Sequence, residues 1–241
     1  MKALEDGRLS DGRSLAWCGP AHGGMFRLTG AQDFMLDEQE RARFRNEIYG
    51  YYEAHGRDMP WRGTTDPYAI MVSEIMLQQT QVDRVKEKYV QFMQAFPDFR
   101  SLAGAGLRDV LAAWKGLGYN RRAQALKSLA AEVMEKFGGV LPHDKGALVL
   151  LPGVGDATAG AILADAFNLP AVFIETNIRR VFIHWFFADR EGVRDGDILP
   201  LVDETLDRND PRRWYWALMD YGTMLKRTVE NPNRKSARYQ K

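Results

Sequence analysis

Features that would each mark a particular class of protein are scarce in this sequence of 241 residues. It contains one cysteine, Cys18, so a disulfide within the chain, a zinc site built on several cysteines and a four-cysteine iron–sulfur cluster are excluded. Its uncharged segment 146–155 is about half as long as the ~20 residues that a membrane-spanning helix needs. The first residues carry no apolar segment of the secretory kind. We therefore expect a soluble, intracellular protein.

An excess of charge of one sign is also lacking. The chain has 33 Lys and Arg residues against 32 Asp and Glu residues, which gives a net charge of +1. A nucleic acid would therefore have to be met by a local basic surface. The histidines show no spacing typical of metal ligands, and we expect no metal site among them. They are His22, His55, His143 and His184.

What the sequence does contain is helical periodicity. Residues 1–36 are rich in glycine, show no apolar period and are predicted to form a flexible N-terminal extension. Beyond them, apolar residues recur at helical spacing, whereas strand-type alternation is scarce. An all-α fold is predicted, with helices at 38–56, 68–80, 82–95, 107–114, 119–137, 144–151, 156–167, 176–188, 196–207 and 211–227.

A turn rich in glycine joins two of these helices. In Leu-Pro-Gly-Val-Gly at 151–155, a proline ends one helix, two glycines permit positive φ, and a new helix begins at once. Such a turn presents backbone N–H groups at a helix N-terminus, which suits a phosphate of a DNA backbone. A bare Gly-X-Gly is more often an ordinary connector. The full motif, followed by a helix of small residues, predicts a helix-hairpin-helix at 151–156.

Glu74 is the first candidate catalytic residue. It is the only carboxylate in the predicted helix 68–80. Burial on an apolar face would raise the pKa of its carboxyl, as a general acid at neutral pH requires. The alternative is a helical glutamate that reaches solvent or caps a backbone group. Its neighbours at helical spacing are Ile70, Met71, Leu77 and Gln78.

Glu175 is the second candidate catalytic residue. A short apolar run, 172–174, stops at Glu175, and a helix begins directly after it. A carboxylate at a helix N-terminus and close to Arg179 is expected to stay ionised, although simple helix capping is the alternative. A neutral acid at Glu74 and a fixed anion at Glu175 would be the pair that cleavage through an oxocarbenium ion needs.

Aromatic and basic residues alternate around a second glycine turn. Leu117 lies within Gly-Leu-Gly at 116–118, and Tyr119 and Arg121 follow it. An aromatic side chain at such a hinge can wedge into a base stack while cations hold phosphates. The C-terminal run 226–241 is also basic, with six Lys and Arg residues against one Glu. Solvated surface is the alternative interpretation of both clusters.

These segments, in this order, resemble the helix-hairpin-helix DNA glycosylase superfamily and, within it, the MutY-type adenine glycosylases. The match is densest over 57–62 and 73–82. It continues through 114–119, 151–155 and 177–181. The resemblance therefore spans roughly residues 40–227, most of the chain.

The resemblance implies a two-lobed all-α fold with the active site in the cleft between the lobes. It also implies hydrolysis of an N-glycosidic bond in double-stranded DNA after base flipping. Residues 68–175 would form a six-helix barrel that carries the hairpin. Residues 37–67 and 176–227 would form the other lobe, followed by a basic tail at 228–241.

The resemblance also implies roles for single residues. Glu74 matches the general acid that protonates the departing base. Glu175 stands where the family has the aspartate that stabilises the sugar cation, and Asn177 matches the asparagine that positions that carboxylate. Gln78 and Gln79 match residues that fill the vacated stack, and Tyr119 matches the intercalating tyrosine. Further DNA contacts are expected at Leu117, Arg121, Leu151, Gly153, Val154 and Gly155.

This sequence departs from the family pattern in three respects. Glu175 replaces the aspartate and has one methylene more. The cysteines of the family's common iron–sulfur cluster are absent, so we expect no cluster, and the basic tail would replace its DNA contact. We also expect the chain to lack the C-terminal domain with which MutY-type proteins recognise 8-oxoguanine. A loosely bound alkali cation at the hairpin is the one cofactor that the resemblance suggests.

The first turn after the hairpin separates two kinds of glycosylase. Bifunctional relatives carry a lysine there, whereas this chain has Ala157, and without an amine no Schiff base forms at that position. A monofunctional enzyme is predicted, acting as a monomer on adenine opposite guanine or 8-oxoguanine, in the cytoplasm at the nucleoid. The alternatives are the same mechanism on mismatched thymine, uracil or another modified base, and a non-catalytic helix-hairpin-helix module that binds DNA.

Overall fold

The computed structural model describes residues 36–239. The predicted extension 1–36, apart from Leu36, lies outside the described residues, as does Cys18. Within them the predicted all-α fold is confirmed, since the only β contact is an isolated bridge between Val193 and Ser236. No helix of this part of the chain is both long enough and apolar enough to span a bilayer.

Eleven α-helices make up the described part of the chain. Two short 3₁₀ turns, Pro60–Gly63 and Pro232–Lys235, accompany them. The helices are α1 (Glu38–His55), α2 (Pro67–Leu77), α3 (Val82–Ala95), α4 (Phe99–Gly104), α5 (Leu107–Trp114), α6 (Asn120–Phe137), α7 (Lys145–Val149), α8 (Asp156–Phe167), α9 (Thr176–Phe186), α10 (Asp195–Thr205) and α11 (Pro211–Thr228).

Helix α4 was not predicted. It is only six residues long, too short for an apolar period to emerge. Its start nevertheless carries a recognisable signal, because the Asp98 side chain accepts from the backbone amide of Ser101 and the Ser101 hydroxyl oxygen accepts from the backbone amide of Asp98. Such a capping box is a sequence-level mark of a helix N-terminus.

Helix α2 ends at Leu77, so the prediction of a helix to residue 80 is wrong. The backbone leaves the helical region at Gln78 and turns left-handed at Gln79, where φ is +55°. The last carbonyls of α2 are satisfied from outside the helix. Arg122 on α6 donates to Ile75 and Met76, at 3.0 Å each, which replaces the bonds that a continuing helix would have supplied.

Two hydrophobic cores lie side by side. One is built mainly from α2 to α8 and centres on side chains such as Ile75 and Trp114. The other joins α1 to α9, α10 and α11 around Phe44 and Trp214. Helix α8 packs into both cores, since its residues divide between them. The lobe boundaries drawn from the sequence stay a prediction, but α8 is the element that both cores share.

The segment after α11 packs against the second core. Asn233 is buried and donates to the carbonyl of Thr176 at the start of α9, at 3.0 Å. Lys235 donates to the carbonyl of Ala188. Arg238 forms an ion pair with Asp195, at 3.2 Å. Part of the positive charge that the sequence places in a basic tail is therefore used in contacts within the protein.

Candidate active site

A cleft of about 630 Å³ lies where α2, α8, α9 and α11 meet. It brings together half of the residues predicted from the sequence to act on a substrate or on DNA. These are Glu74, Gln78, Gln79, Arg121, Glu175 and Asn177. The other half do not line it: Leu117, Tyr119, Leu151, Gly153, Val154 and Gly155 lie elsewhere.

Glu74 projects from the middle of α2 into this cleft. The residues that follow it, Ile75 and Met76, are fully buried in the first core. Burial, together with the negative charges of Asp165 and Glu175, raises the pKa of the Glu74 carboxyl to about 8. The direction is the one expected from the sequence. Glu74 is therefore largely protonated at neutral pH, as a proton donor must be.

Glu175 occupies the N-cap of α9. Its Oε1 accepts from the amides of Asn177 and Ile178, at 2.5 and 2.7 Å. Burial in the cleft raises the pKa of this carboxyl, while the two amide bonds and the charges of Arg180 and Arg179 oppose the rise. The net shift of this pKa is upward, because the loss of hydration outweighs these contacts; that the carboxylate stays ionised remains a prediction.

Two cations lower the pKa of Glu175: the predicted Arg179 and, with the larger effect, Arg180. Arg179 turns away and forms a double hydrogen bond with Asp195, at 2.7 and 2.9 Å. Arg180 is buried and faces the site instead. It donates to Oδ1 of Asn177 at 2.6 Å, and Nδ2 of Asn177 reaches Glu175 Oε2 at 3.3 Å. Asn177 therefore links a buried guanidinium to the carboxyl group.

Helix α11 holds this arrangement through a glycine. The Gly222 carbonyl accepts from Arg180 at 2.8 Å. A Cβ atom at Gly222 would lie only 2.7 Å from Cβ of Asn177 and 2.8 Å from its carbonyl oxygen. Only glycine allows α11 to approach Asn177 so closely, so Gly222 is a positioning residue that the sequence reading did not single out.

Asp165 is a third acidic residue in the cleft and was missed from the sequence. It lies on α8, and burial raises the pKa of its carboxyl to about 7 against the opposing effects of Arg62, Trp216 and Arg212. The signal was its spacing, because Ala157, Ala161 and Asp165 are each four residues apart and share one helix face. All three line the cleft.

Two exposed side chains, Gln79 and Tyr119, lie on neighbouring turns beside the cleft. Both have left-handed backbones, with φ of +55° and +49°, and Tyr119 is 54% exposed. Arg122 ties the two turns together and stacks under the Tyr119 ring at 5.4 Å. Its guanidinium donates to the carbonyls of Ile75, Met76, Gln78, Leu117 and Gly118 and to the hydroxyl of Thr80.

The hairpin places apolar side chains inward and backbone outward. Leu151 and Val154 are buried in the first core, as is Leu117 of the other glycine turn, so a contact of these residues with DNA would be made by backbone atoms. Gly153 has φ of +81°. Gly155 is the N-cap of α8, and among residues 36–239 no side-chain cap accepts from the first amides of that helix. The start of α8 is thus free of a side-chain cap.

The fold and the cleft define a class: an all-helical protein with a glycine hairpin between helices and a pair of half-buried glutamates in a cleft beside it. Comparison with known proteins gives the family. Residues 72–195 match the HhH-GPD superfamily of base excision DNA repair proteins, and the chain belongs to this family.

Two similar proteins are DNA glycosylases that are named for different bases. An adenine DNA glycosylase of Buchnera aphidicola subsp. Baizongia pistaciae is 35% identical over 187 residues, covering 76% of this chain and 52% of that protein. The chain thus spans about half the length of that relative. A thymine/uracil-DNA glycosylase of Methanothermobacter thermautotrophicus is 30% identical over 190 residues, covering 78% of this chain and 86% of that protein.

Among solved structures, a thermostable thymine-DNA glycosylase is similar with a TM-score of 0.71 and 27% identity. The similarity covers 82% of this chain and 92% of that one. The family resemblance read from the sequence motifs is therefore confirmed.

Proposed function

We propose that this chain is a monofunctional DNA glycosylase. It hydrolyses the N-glycosidic bond of a base flipped out of double-stranded DNA, acting as a monomer. Adenine mispaired with guanine or 8-oxoguanine is the proposed substrate, because the similar Buchnera protein is an adenine DNA glycosylase. One observation carries the proposal: two half-buried glutamates face one cleft, and of the two only Glu175 accepts hydrogen bonds from donors within residues 36–239 that stabilise its anion.

The two glutamates divide the reaction between them. As the bond between C1′ and the base nitrogen breaks, its electron pair leaves with the base, and Glu74 gives its proton to a ring nitrogen of that base. The sugar cation faces the Glu175 carboxylate, which stabilises the positive charge. Water then adds to C1′, its proton passes to the Glu74 carboxylate, and an abasic site remains.

The exposed turns bind the DNA duplex. Tyr119 and Gln79 are exposed on two turns that Arg122 holds together, and they are suited to enter the base stack that the flipped base has left. Arg121 is exposed beside them and lines the cleft. The uncapped start of α8 offers amides to a phosphate without reading sequence.

Hydrolysis without strand cleavage follows from the cleft lining. Ala157 lies in the first turn after the hairpin, and no lysine is found among the lining residues within 36–239. A lysine amine would be needed there for a Schiff base with the sugar. The proposed enzyme therefore stops at the abasic site.

Thymine or uracil is the second candidate base. It is favoured by the Methanothermobacter thermautotrophicus relative, of which this chain covers 86%. The mechanism would be the same, with Glu74 protonating a carbonyl oxygen of the base instead of a ring nitrogen.

A single-turnover excision assay tests the proposal. The substrates are duplexes with adenine opposite guanine, cytosine and 8-oxoguanine, and with thymine or uracil opposite guanine. Alkali then cleaves the abasic sites. We expect release of adenine from the mispairs, and intact strands when alkali is omitted. Release of thymine or uracil alone would replace the substrate, and DNA binding without release of any base would contradict the proposed activity.

A further inference from the structure

Helix α8 presents one face to the cleft, and that face ends in a carboxyl group. Ala157 and Ala161 contribute only methyl groups, and Asp165 follows at the same spacing of four. Tyr215 and Trp216 of α11 line the cleft as well. The face therefore leaves space for a flat ring, with one charged or polar side chain at its end.

The Asp165 carboxyl has an unused acceptor. Its Oδ1 is buried and has no hydrogen-bond partner among the described residues. The carboxyl accepts a hydrogen bond from the Trp216 side chain, which fixes the orientation of the group. A buried acceptor without a partner lowers the stability of a folded protein. A ligand that donates a hydrogen bond to this oxygen would therefore stabilise the protein.

The nearby cations are already used elsewhere. Arg62 forms a double hydrogen bond with Asp220, at 2.9 Å for each contact. Arg212 donates to the carbonyls of Asp165 and Ala166, at 2.6 and 3.1 Å. Within the described part of the chain no Lys or Arg forms an ion pair with the Asp165 side chain. Asp165 thus lines the cleft with its side chain outside these ion pairs.

We propose that Asp165 determines which base is accepted, by taking a hydrogen bond from the exocyclic amine of a flipped adenine onto its free oxygen. This inference rests on the proposed glycosylase function and deepens it. The amine is the only N–H donor that an adenine base linked to its sugar carries. Thymine and uracil instead present carbonyl oxygens on both sides of their single N–H, and those oxygens would meet the carboxyl oxygens unfavourably.

The role of Asp165 differs from that of the two glutamates. Glu74 and Glu175 act on the bond that breaks, whereas Asp165 contacts a part of the base that takes no part in the reaction. A residue of this kind discriminates between bases that differ in the group it contacts. Asparagine in its place would keep an acceptor oxygen, and side-chain amides are known readers of adenine.

The test compares adenine with purine, which has the same ring without the amine, both opposite 8-oxoguanine. Single-turnover excision is measured with the wild-type chain, Asp165→Ala and Asp165→Asn. We expect Asp165→Ala to slow adenine release by about 10-fold to 100-fold, with purine release within about 3-fold of the wild type. Asp165→Asn should recover most of the adenine rate.

A matched control comes from the same helix. Asp156 lies in the first turn of α8 and its side chain is 74% exposed. Asp156→Ala should change both rates alike, because any effect on DNA binding cancels in the ratio. If Asp165→Ala does not fold, the wild-type ratio still decides, measured against the uncatalysed ratio of the two nucleotides.

The possible results separate the role of Asp165 from the proposed glycosylase activity on which it rests. An adenine-to-purine ratio equal in the wild type and Asp165→Ala would overturn the role of Asp165 and leave the glycosylase intact. If the adenine-to-purine ratio of the wild type is no higher than that of the uncatalysed reaction, the role of Asp165 is likewise overturned and the glycosylase activity stands. Release of thymine or uracil but not adenine would overturn the amine assignment alone. No release of any base would refute the proposed function itself.

Discussion

The two glutamates of the cleft share a chemical group and differ in their surroundings. Every influence on Glu74 raises the pKa of its carboxyl: burial, Asp165 and Glu175. Glu175 is also desolvated, but two amides at the start of α9 and the nearby Arg180 favour its anion. Since desolvation raises the pKa of both carboxyl groups, desolvation alone cannot assign the acid and the anion. The donors around each carboxyl make the assignment.

This contrast corrects a simple picture of the site. A helix N-terminus is often sufficient to keep a carboxylate ionised on a protein surface. In the cleft its effect is outweighed by lost hydration, so Glu175 needs the further link through Asn177 to Arg180. The proposed chemistry therefore depends on a chain of contacts that reaches Gly222 on α11.

The largest expected effect on the excision rate comes from removal of the proton donor. Glu74→Gln keeps the shape of the side chain but cannot deliver a proton, so excision should fall by about 10²-fold to 10⁴-fold. Duplex binding should persist, because the exposed turns and the hairpin are untouched. Single-turnover rates and a binding titration measure both. Glu135→Gln, an exposed glutamate on α6, serves as the control and should retain full activity; turnover retained in Glu74→Gln would remove Glu74 from the acid role.

A smaller effect on the excision rate is expected when the negative charge of Glu175 is removed. Glu175→Gln removes the charge while its amide oxygen still accepts from the amides of Asn177 and Ile178, so excision should fall by about 10²-fold. The free energy of unfolding should change by less than about 1 kcal/mol, because the helix cap is kept. Excision assays and thermal unfolding measure the two effects. Asp98→Asn alters another capping carboxylate, that of α4, and should leave activity unchanged. Equal losses in both variants would mean that Glu175 acts only as a cap.

The smallest expected effect tests the support behind Glu175. Gly222→Ala places a methyl group 2.7 Å from Cβ of Asn177, and such overpacking typically costs about 1–3 kcal/mol of stability. Displacement of Asn177 should also lower the excision rate by about 10-fold at saturating enzyme. Gly196 on α10 has open space around it. Gly196→Ala should therefore be neutral in rate and slightly stabilising, and an unchanged rate in Gly222→Ala would separate α11 from the site.

Local sequence signals predicted most of the fold. The bounds of α3, α5 and α8 agree with the prediction at both ends, because apolar periodicity and flanking breakers coincide there. The end of α2 was misplaced because its carbonyls are capped by Arg122 on α6, a contact between residues far apart in the chain. A short helix such as α4 offers only a cap, without a period to support it.

Site residues could be predicted from the sequence only where a single segment carries the signal for their role. Glu74 stands out as the only carboxylate of its predicted helix, and Glu175 stands out because it ends a short apolar run directly before a helix. Asp165 and Arg180 do not stand out, because their roles depend on which faces of α8 and α9 meet α11 across the cleft. Arg179 and Arg180 are adjacent in sequence, and only the packing decides that Arg180 faces the glutamate.

The central claim is that Glu74 is neutral at the pH at which Glu175 must support a cation. Carbon-13 NMR of the chain labelled at the glutamate carboxyl carbons, compared with Glu74→Gln to assign the resonance, measures this without any substrate. We expect the Glu74 resonance to titrate with a midpoint near the pKa of about 8. A midpoint near the ordinary glutamate pKa of 4.5 would show an ionised Glu74 at neutral pH and contradict its role as the acid.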